Sequence, residues 1–278
     1  MNVLYALVTL LPLWFFACYL RAKQTGDADL GKRGVITASG HAARVFWSNA
    51  AFLVPLAVVV GGLGQVVSLQ ASELARDWAA QGTGSGPGRQ QALLVASELT
   101  WQLVWCAWNC VFGAFSAAAT LYFWQCEERK QPADAYAAIN FALNRFSRVL
   151  PAHAKAFLFI TLGNFIIVPG IWFGLQYAFV DAIATFDYEE KAPLSRSQRL
   201  VQPRLRTIGT VFLPIFFFWW FPGQFLHFEL QGRGVEWIAA AGAIEVMVYQ
   251  LIDLTMVQLY LDRFRKPSTT PVAAPVAS

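Results

Sequence analysis

Phe46 to Val67, FWSNAAFLVPLAVVVGGLGQVV, holds 22 consecutive residues without an Asp, Glu, Lys or Arg. A helix rises 1.5 Å per residue, so about 20 apolar residues cross the roughly 30 Å hydrocarbon core of a bilayer. This stretch is therefore long enough to span. Upstream, Asn2 to Leu20 is a second uncharged apolar run, closed by Arg21 and Lys23. Downstream lie further runs within Leu93 to Trp124, Ala156 to Phe186, Ile208 to Phe228 and Val235 to Leu261. An outer-membrane barrel would instead show segments of about ten residues with alternating polarity. Composition agrees: 56% of the 278 residues are hydrophobic, 14% are charged and the mean hydropathy is +0.44. Soluble domains average about 25% charged residues and 45–50% apolar ones. The sequence predicts an all-α polytopic membrane bundle forming one domain over residues 1–265, with a disordered tail over 266–278.

The run from Asn2 to Leu20 lacks a basic start and a small-residue cleavage site, so it reads as a membrane helix rather than a cleaved signal. Cys18, Cys106, Cys110 and Cys126 lie in or beside apolar runs, where a thiol acts as a small hydrophobe, and no disulfide framework is expected. Gln81 to Gly88, QGTGSGPG, is a flexible loop without the Lys-Ser/Thr ending of a phosphate-binding loop. Residues 133–150 read as an amphipathic helix at the membrane interface, with Ala137, Phe141, Phe146 and Leu150 opposed to Asn144, Arg145 and Arg148.

Pro169 and Gly170 interrupt the run from Ala156 to Phe186, since proline removes an N–H donor and glycine permits a turn. Two short helices folded as a hairpin are expected there, giving about seven membrane helical segments. Charge placement supports that count. With the N-terminus outside and the C-terminus cytoplasmic, 18 of the 21 Lys and Arg fall on the cytoplasmic side, leaving only Arg76, Arg89 and Arg233 outside. Without the hairpin, the segment carrying Lys191, Arg196, Arg199, Arg204 and Arg206 would face outward.

Asn164 to Leu213 contains Val168-Pro-Gly-Ile-Trp172, Phe186-Asp-Tyr-Glu-Glu190 and Ala192-Pro-Leu-Ser-Arg-Ser-Gln-Arg-Leu200. It resembles a bacterial polytopic membrane-domain family related to the membrane domain of glycerophosphodiester phosphodiesterases. In that family a Pro-Gly turn, an acidic residue and a Leu-x-x-Ser-x-x-Leu segment recur. Leu194, Ser197 and Leu200 match the pattern, and Glu189 or Glu190 stands where the acidic residue is expected. The resemblance implies a helical membrane bundle in a bacterial inner membrane. It carries no catalytic residue, because the phosphodiesterase domain has no counterpart here.

Glu245, Tyr249 and Asp253 are spaced i, i+4 and i+8 and share one face of the last helix, with the carboxylates about 12 Å apart along the axis. Ionisable groups inside a membrane suggest an ion or proton path, with Glu98 and Asp181 as further members. The competing reading is that they hydrogen-bond between helices and hold the bundle together, and it is the one expected first. Trp101, Trp105, Trp108, Phe112 and Phe115 form an aromatic stripe, and Cys106, Cys110, Gly113 and Ala117 a small-residue stripe expected to pack on a neighbouring helix. His41 and His153 fall in segments assigned to the cytoplasm and His227 at an outer helix end. Cys106 and Cys110 find no further ligand to complete a metal set. No catalytic, metal or cofactor site is expected.

The basic rim suits anionic lipid headgroups, which attract each Lys or Arg by about 1 kcal/mol, and nucleic acid is not an expected partner. The sequence therefore points first to a non-enzymatic membrane protein, a scaffold or accessory factor in envelope or lipid homeostasis that works with a membrane-protein partner. The alternative is a small transporter or channel using Glu245 and Asp253. The charge asymmetry makes a direct prediction. Reporters fused after Arg44, Ser147 and Arg206 should be cytoplasmic and one inserted between Gly82 and Gly88 external, as read by paired phosphatase and fluorescent-protein fusions; an external signal after Arg206 would remove the hairpin.

Overall fold

The computed structural model describes residues 35–82, 88–164, 168–205, 208–209 and 234–263. Among the described residues the regular structure is entirely helical. The predicted run from Asn2 to Leu20, most of that from Ile208 to Phe228, and the tail over 266–278 lie outside them.

Helix α1 (Val35–Ser48) buries Ala38, Ser39, Ala42 and Ala43, small residues that let the backbone of a neighbour come close. Asn49 ends it: its side-chain amide donates to the Val45 carbonyl at 2.8 Å and its own carbonyl accepts from Phe52 and Leu53. The chain continues as α2 (Ala50–Ala57), a π-helical turn at Val58–Leu63, and α3 (Gly64–Gly82). A second rod runs through α4 (Arg89–Trp108), a π-helical turn at Asn109–Gly113, and α5 (Ala114–Arg129). Lys130, in the left-handed region at φ 52°, turns the chain, and the Asp134 carboxylate accepts from the Ala137 N–H at 2.8 Å to start α6 (Ala135–Asn164). Short helices α7 (Val168–Gln176), α8 (Val180–Phe186) and α9 (Pro193–Val201) follow, then the long α10 (Val235–Arg263).

Among the described residues, three stretches are long and apolar enough to cross a membrane: Ala50–Gln81, Arg89–Arg129 and Val235–Tyr260. The first two, at 32 and 41 residues, are about 48 and 62 Å long and exceed the apolar core of a bilayer. Their surplus falls where α3 and α4 pair, the region that carries Glu73, Arg76, Asp77 and Arg89.

Helix α10 is the axis of the bundle, packed against α1, α2, the first π-turn, α3, α5 and α8. It crosses the first π-turn on glycine: a Cβ on Gly61 would overlap the Gly242 carbonyl, and a Cβ on Gly242 the Gly61 carbonyl. A second alanine-lined interface joins α5 to α6 and α8 through Ala114, Ala118, Ala142, Ala152 and Ala184.

Two expectations change here. The helix expected over residues 133–150 is longer, because α6 continues through Pro151 to Asn164. Its buried face is Ala138, Ala142, Val149 and Ala152, packed on α5. Arg145 and Arg148, read as surface charges, donate instead to the backbone carbonyls of Thr185 and Glu190. Pro169 and Gly170 lie in the first turn of α7, where a proline needs no N–H. The chain still folds back on itself, since a Cβ on Gly163 would lie 2.7 Å from the Gly170 nitrogen. Residues 165–167, which connect α6 to α7, lie outside the described residues. A further break at Tyr177–Phe179 then separates α7 from α8.

That break is held by the segment quoted for its family resemblance. Ser197 is fully buried; its hydroxyl donates to the Gln176 carbonyl at 2.8 Å and accepts the Phe179 N–H at 3.2 Å. Glu190 accepts from the Ala192 N–H at 2.9 Å and pairs with Arg196 at 3.2 Å and Arg199 at 4.0 Å. The Ala192 N–H first, then the two guanidinium groups, hold its carboxyl below the usual carboxylate range against the opposing effect of desolvation.

Gly61→Val should cost at least about 1–3 kcal/mol, the range of overpacking, and Ser197→Ala about 1–3 kcal/mol, since two buried backbone groups lose their partner. Both are read as thermal unfolding in detergent. A carboxyl depressed in the folded state contributes stability above its unfolded value and loses it as pH falls through the folded one. Acidification below the usual carboxylate range should therefore destabilise the wild type more than Glu190→Gln.

Candidate functional site

Four packed elements do not close completely at the middle of α10. They leave a cavity of about 320 Å³ bounded by α10, the α4–α5 rod, α6, and α7 with α8. One face of α10 supplies Glu245, Tyr249, Gln250 and Asp253 to it. The spacing read from the sequence thus places both carboxylates on one cavity wall.

Glu245 is the better held of the two. Tyr249 donates its hydroxyl to Oε1 at 2.8 Å, and Gln65 of α3 donates to Oε2 at 3.4 Å. Asp253 faces the cavity without a hydrogen bond to any described residue. Across from it, His153 of α6 sets Nδ1 at 3.0 Å from both carboxylate oxygens of Asp181 on α8. Between the two ends Gln250, 1% exposed, donates to the Ser116 hydroxyl at 3.3 Å, while its carbonyl oxygen has no partner.

Both π-turns reach this wall: Val60 comes from the first, and Asn109 and Gly113 from the second. Wide turns of this kind recur at functional sites because they shift side chains and backbone out of the regular helical register. In the first, the Val60 carbonyl accepts the Trp108 indole N–H at 2.7 Å. In the second, Gly113 makes room for His153: a Cβ there would sit 2.9 Å from Nε2. Of the stripe expected to pack on a neighbouring helix, Gly113 and Cys110 meet α6, Gly113 at the His153 ring and Cys110 at 3.9 Å from the Ala154 carbonyl, while Cys106 and Ala117 line the cavity.

Among the described residues the lining includes Glu245, Asp253 and Asp181 but neither Lys nor Arg. Carboxylates facing a cavity without a cationic side chain favour a cation or a proton and repel an anion. Among the described residues, no three His, Cys, Asp or Glu side chains converge as metal ligands would. Glu98 stands apart from its proposed companions. It accepts from Gln102 at 3.0 Å one turn along α4, and only Gln102 reaches the cavity.

His153 was assigned to a cytoplasmic segment in the sequence reading, and its role went unseen. Its partner is 28 positions away on another helix, and no local pattern announces such a pairing. The available signal was Asp181 itself, an acid in an apolar run with no basic neighbour. Gln65, Asn109, Ser116 and Gln250 gave the same kind of signal as polar residues inside apolar stretches. Compared with protein-family models, curated proteins and solved structures, the chain matches none.

Gly113→Val should push the His153 ring away from Asp181 while leaving the helices in place. In a protein labelled with ¹⁵N-histidine, which holds three His, the His153 ring signals should move and those of His41 and His227 should not.

Proposed function

We propose that this protein is a small membrane transporter whose cavity at the middle of α10 takes up a cation or proton. The observation that carries this reading is the convergence of Glu245, Asp253 and Asp181 on one cavity without a Lys or Arg in its wall. Carboxylates whose only task is to bridge helices would pack against donors on their neighbours. Here Asp253 turns to open space and the Gln250 carbonyl oxygen lacks a partner. A wall that keeps acceptors unsatisfied is suited to a ligand that brings donors.

The accessory role in envelope or lipid homeostasis remains the second reading. It is favoured by the resemblance of Asn164 to Leu213 to the glycerophosphodiester phosphodiesterase membrane-domain family. In either case we place the protein in a bacterial inner membrane with about seven helical segments, an external N-terminus and a cytoplasmic C-terminus. The basic end then meets anionic headgroups, although Arg44, Arg196 and Arg199 are partly matched by Glu127, Asp187 and Glu190.

The two readings separate in reconstituted vesicles carrying a trapped pH dye. Under an imposed voltage, wild-type protein should conduct protons or exchange them for an external cation. Glu245→Gln and Asp253→Asn should each lower that flux at least about tenfold, because an amide keeps the shape but cannot ionise. Size-exclusion profiles and thermal unfolding should stay near wild type. A wild-type flux equal to that of protein-free vesicles would leave the accessory role as the better account.

A further inference from the structure

We propose that the ligand of this cavity is a short linear aliphatic diamine, with one ammonium at Glu245 and the other at Asp253 beside the Asp181–His153 pair. The assignment rests on the cation-carrier reading above and adds the chemical class of the cargo.

Charge makes the first argument. Asp181 is matched by His153 at 3.0 Å. Glu245 is matched only by the neutral groups of Tyr249 and Gln65, and Asp253 by no hydrogen bond from a described residue. When ionised, these two carboxylates present two separated negative charges in a low-dielectric wall. A monocation would neutralise one and leave the other uncompensated, which is costly inside a membrane. A dication with its charges at opposite ends neutralises both.

Length makes the second. Eight residues of helix separate Glu245 from Asp253, about 12 Å along the axis. For an extended ligand lying between the two carboxylates, with a charge-assisted N–H···O bond of about 2.8 Å directed along the axis at each end, that rise leaves roughly 6 Å between the two nitrogens. Ordinary C–C and C–N bonds in an extended chain advance about 1.25 Å each, so four or five methylenes fill that distance.

The lining of the cavity makes the third. Val246, Phe157 and Ile160 offer apolar surface to methylenes. Gln250, 1% exposed, holds an unpartnered carbonyl oxygen on the same α10 face, between the carboxylates in sequence and therefore along the axis. The volume, about 320 Å³, lies at the lower end of the range for ligand pockets and suits a chain of this length rather than a bulky ring system.

The test titrates the full-length protein in nanodiscs with 1,4-diaminobutane, 1,5-diaminopentane, 1,8-diaminooctane, butylamine and 1,4-butanediol. Tryptophan fluorescence is one readout, since Trp105 lines the cavity, and calorimetry is the second. The four- and five-carbon diamines should bind at least about tenfold more tightly than butylamine, and the diol should not bind. Glu245→Gln and Asp253→Asn should each reduce diamine affinity to the butylamine level. The wild-type ligand series needs no variant to fold and decides by itself. Equal affinity for butylamine and the diamines would overturn the diamine assignment while sparing a single-cation carrier. A steady rise in affinity up to 1,8-diaminooctane would mark apolar partitioning and overturn it too. If none of the five binds, the diamine assignment is lost, and the vesicle flux of the variants still judges the carrier reading separately.

Discussion

A carboxyl group within a helix long and apolar enough to cross a membrane has little water to solvate it, and α10 carries two such groups along one face. Each ionisable group at that depth is costly, by a few kcal/mol on insertion scales, unless something nearby compensates. The surroundings of α10 answer this demand unequally. Glu245 receives two donors, one from its own helix and one from α3. Asp253 receives none from a described residue and looks into a cavity. Of the helices that meet there, only α6 and α8 bring a charge pair of their own, and they direct His153 to Asp181 rather than to Asp253.

Leaving that space open takes distortion as well as small residues. Each of the two long rods contains a π-helical turn, and both turns lie at the level of the cavity. Pro55 lies three residues ahead of the first and has no N–H to give to the regular ladder. The cost of the wide turn is then partly offset in kind, because the Val60 carbonyl takes the Trp108 indole as a donor. At the same turn Gly61 and Gly242 bring two backbones into contact that any side chain would hold apart. Close approach at Gly242 and open space at Tyr249 and Asp253 thus follow one another along the same face of α10.

The helical class was readable from uncharged runs of membrane length, and Ala50–Gln81, Arg89–Arg129 and Val235–Tyr260 are the helices long and apolar enough to cross. The shared face of Glu245, Tyr249 and Asp253 was readable too, since helical spacing is a local property. Helix boundaries were less so. Polarity changes near residue 150 and suggested a border, yet α6 passes straight through Pro151 because its alanine face packs on α5 along its length. Pro169 looked like a break because proline disrupts a helix interior; its place in the first turn of α7, where it is well tolerated, depends on where the preceding chain stops. The pairing of His153 with Asp181 and the π-turns were not readable, because both are set by contacts between residues far apart in sequence.

The segment that carries the family resemblance acts on the cavity from a distance. Ser197 holds the Gln176 carbonyl and the Phe179 N–H at the break between α7 and α8. Asp181 stands two residues beyond Phe179, in the first turn of α8, so its position follows from that break. Arg145 and Arg148 of α6 reach the other end of α8 and the loop after it, at Thr185 and Glu190, while His153, two turns further along α6, reaches Asp181. Helices α6 and α8 are thus tied at both ends, by basic side chains on backbone carbonyls at one and by the His153–Asp181 pair at the other. A shift of α8 along α6 would break both ties together. The charged end of the bundle and the Asp181 side of the cavity wall are therefore held by the same two helices.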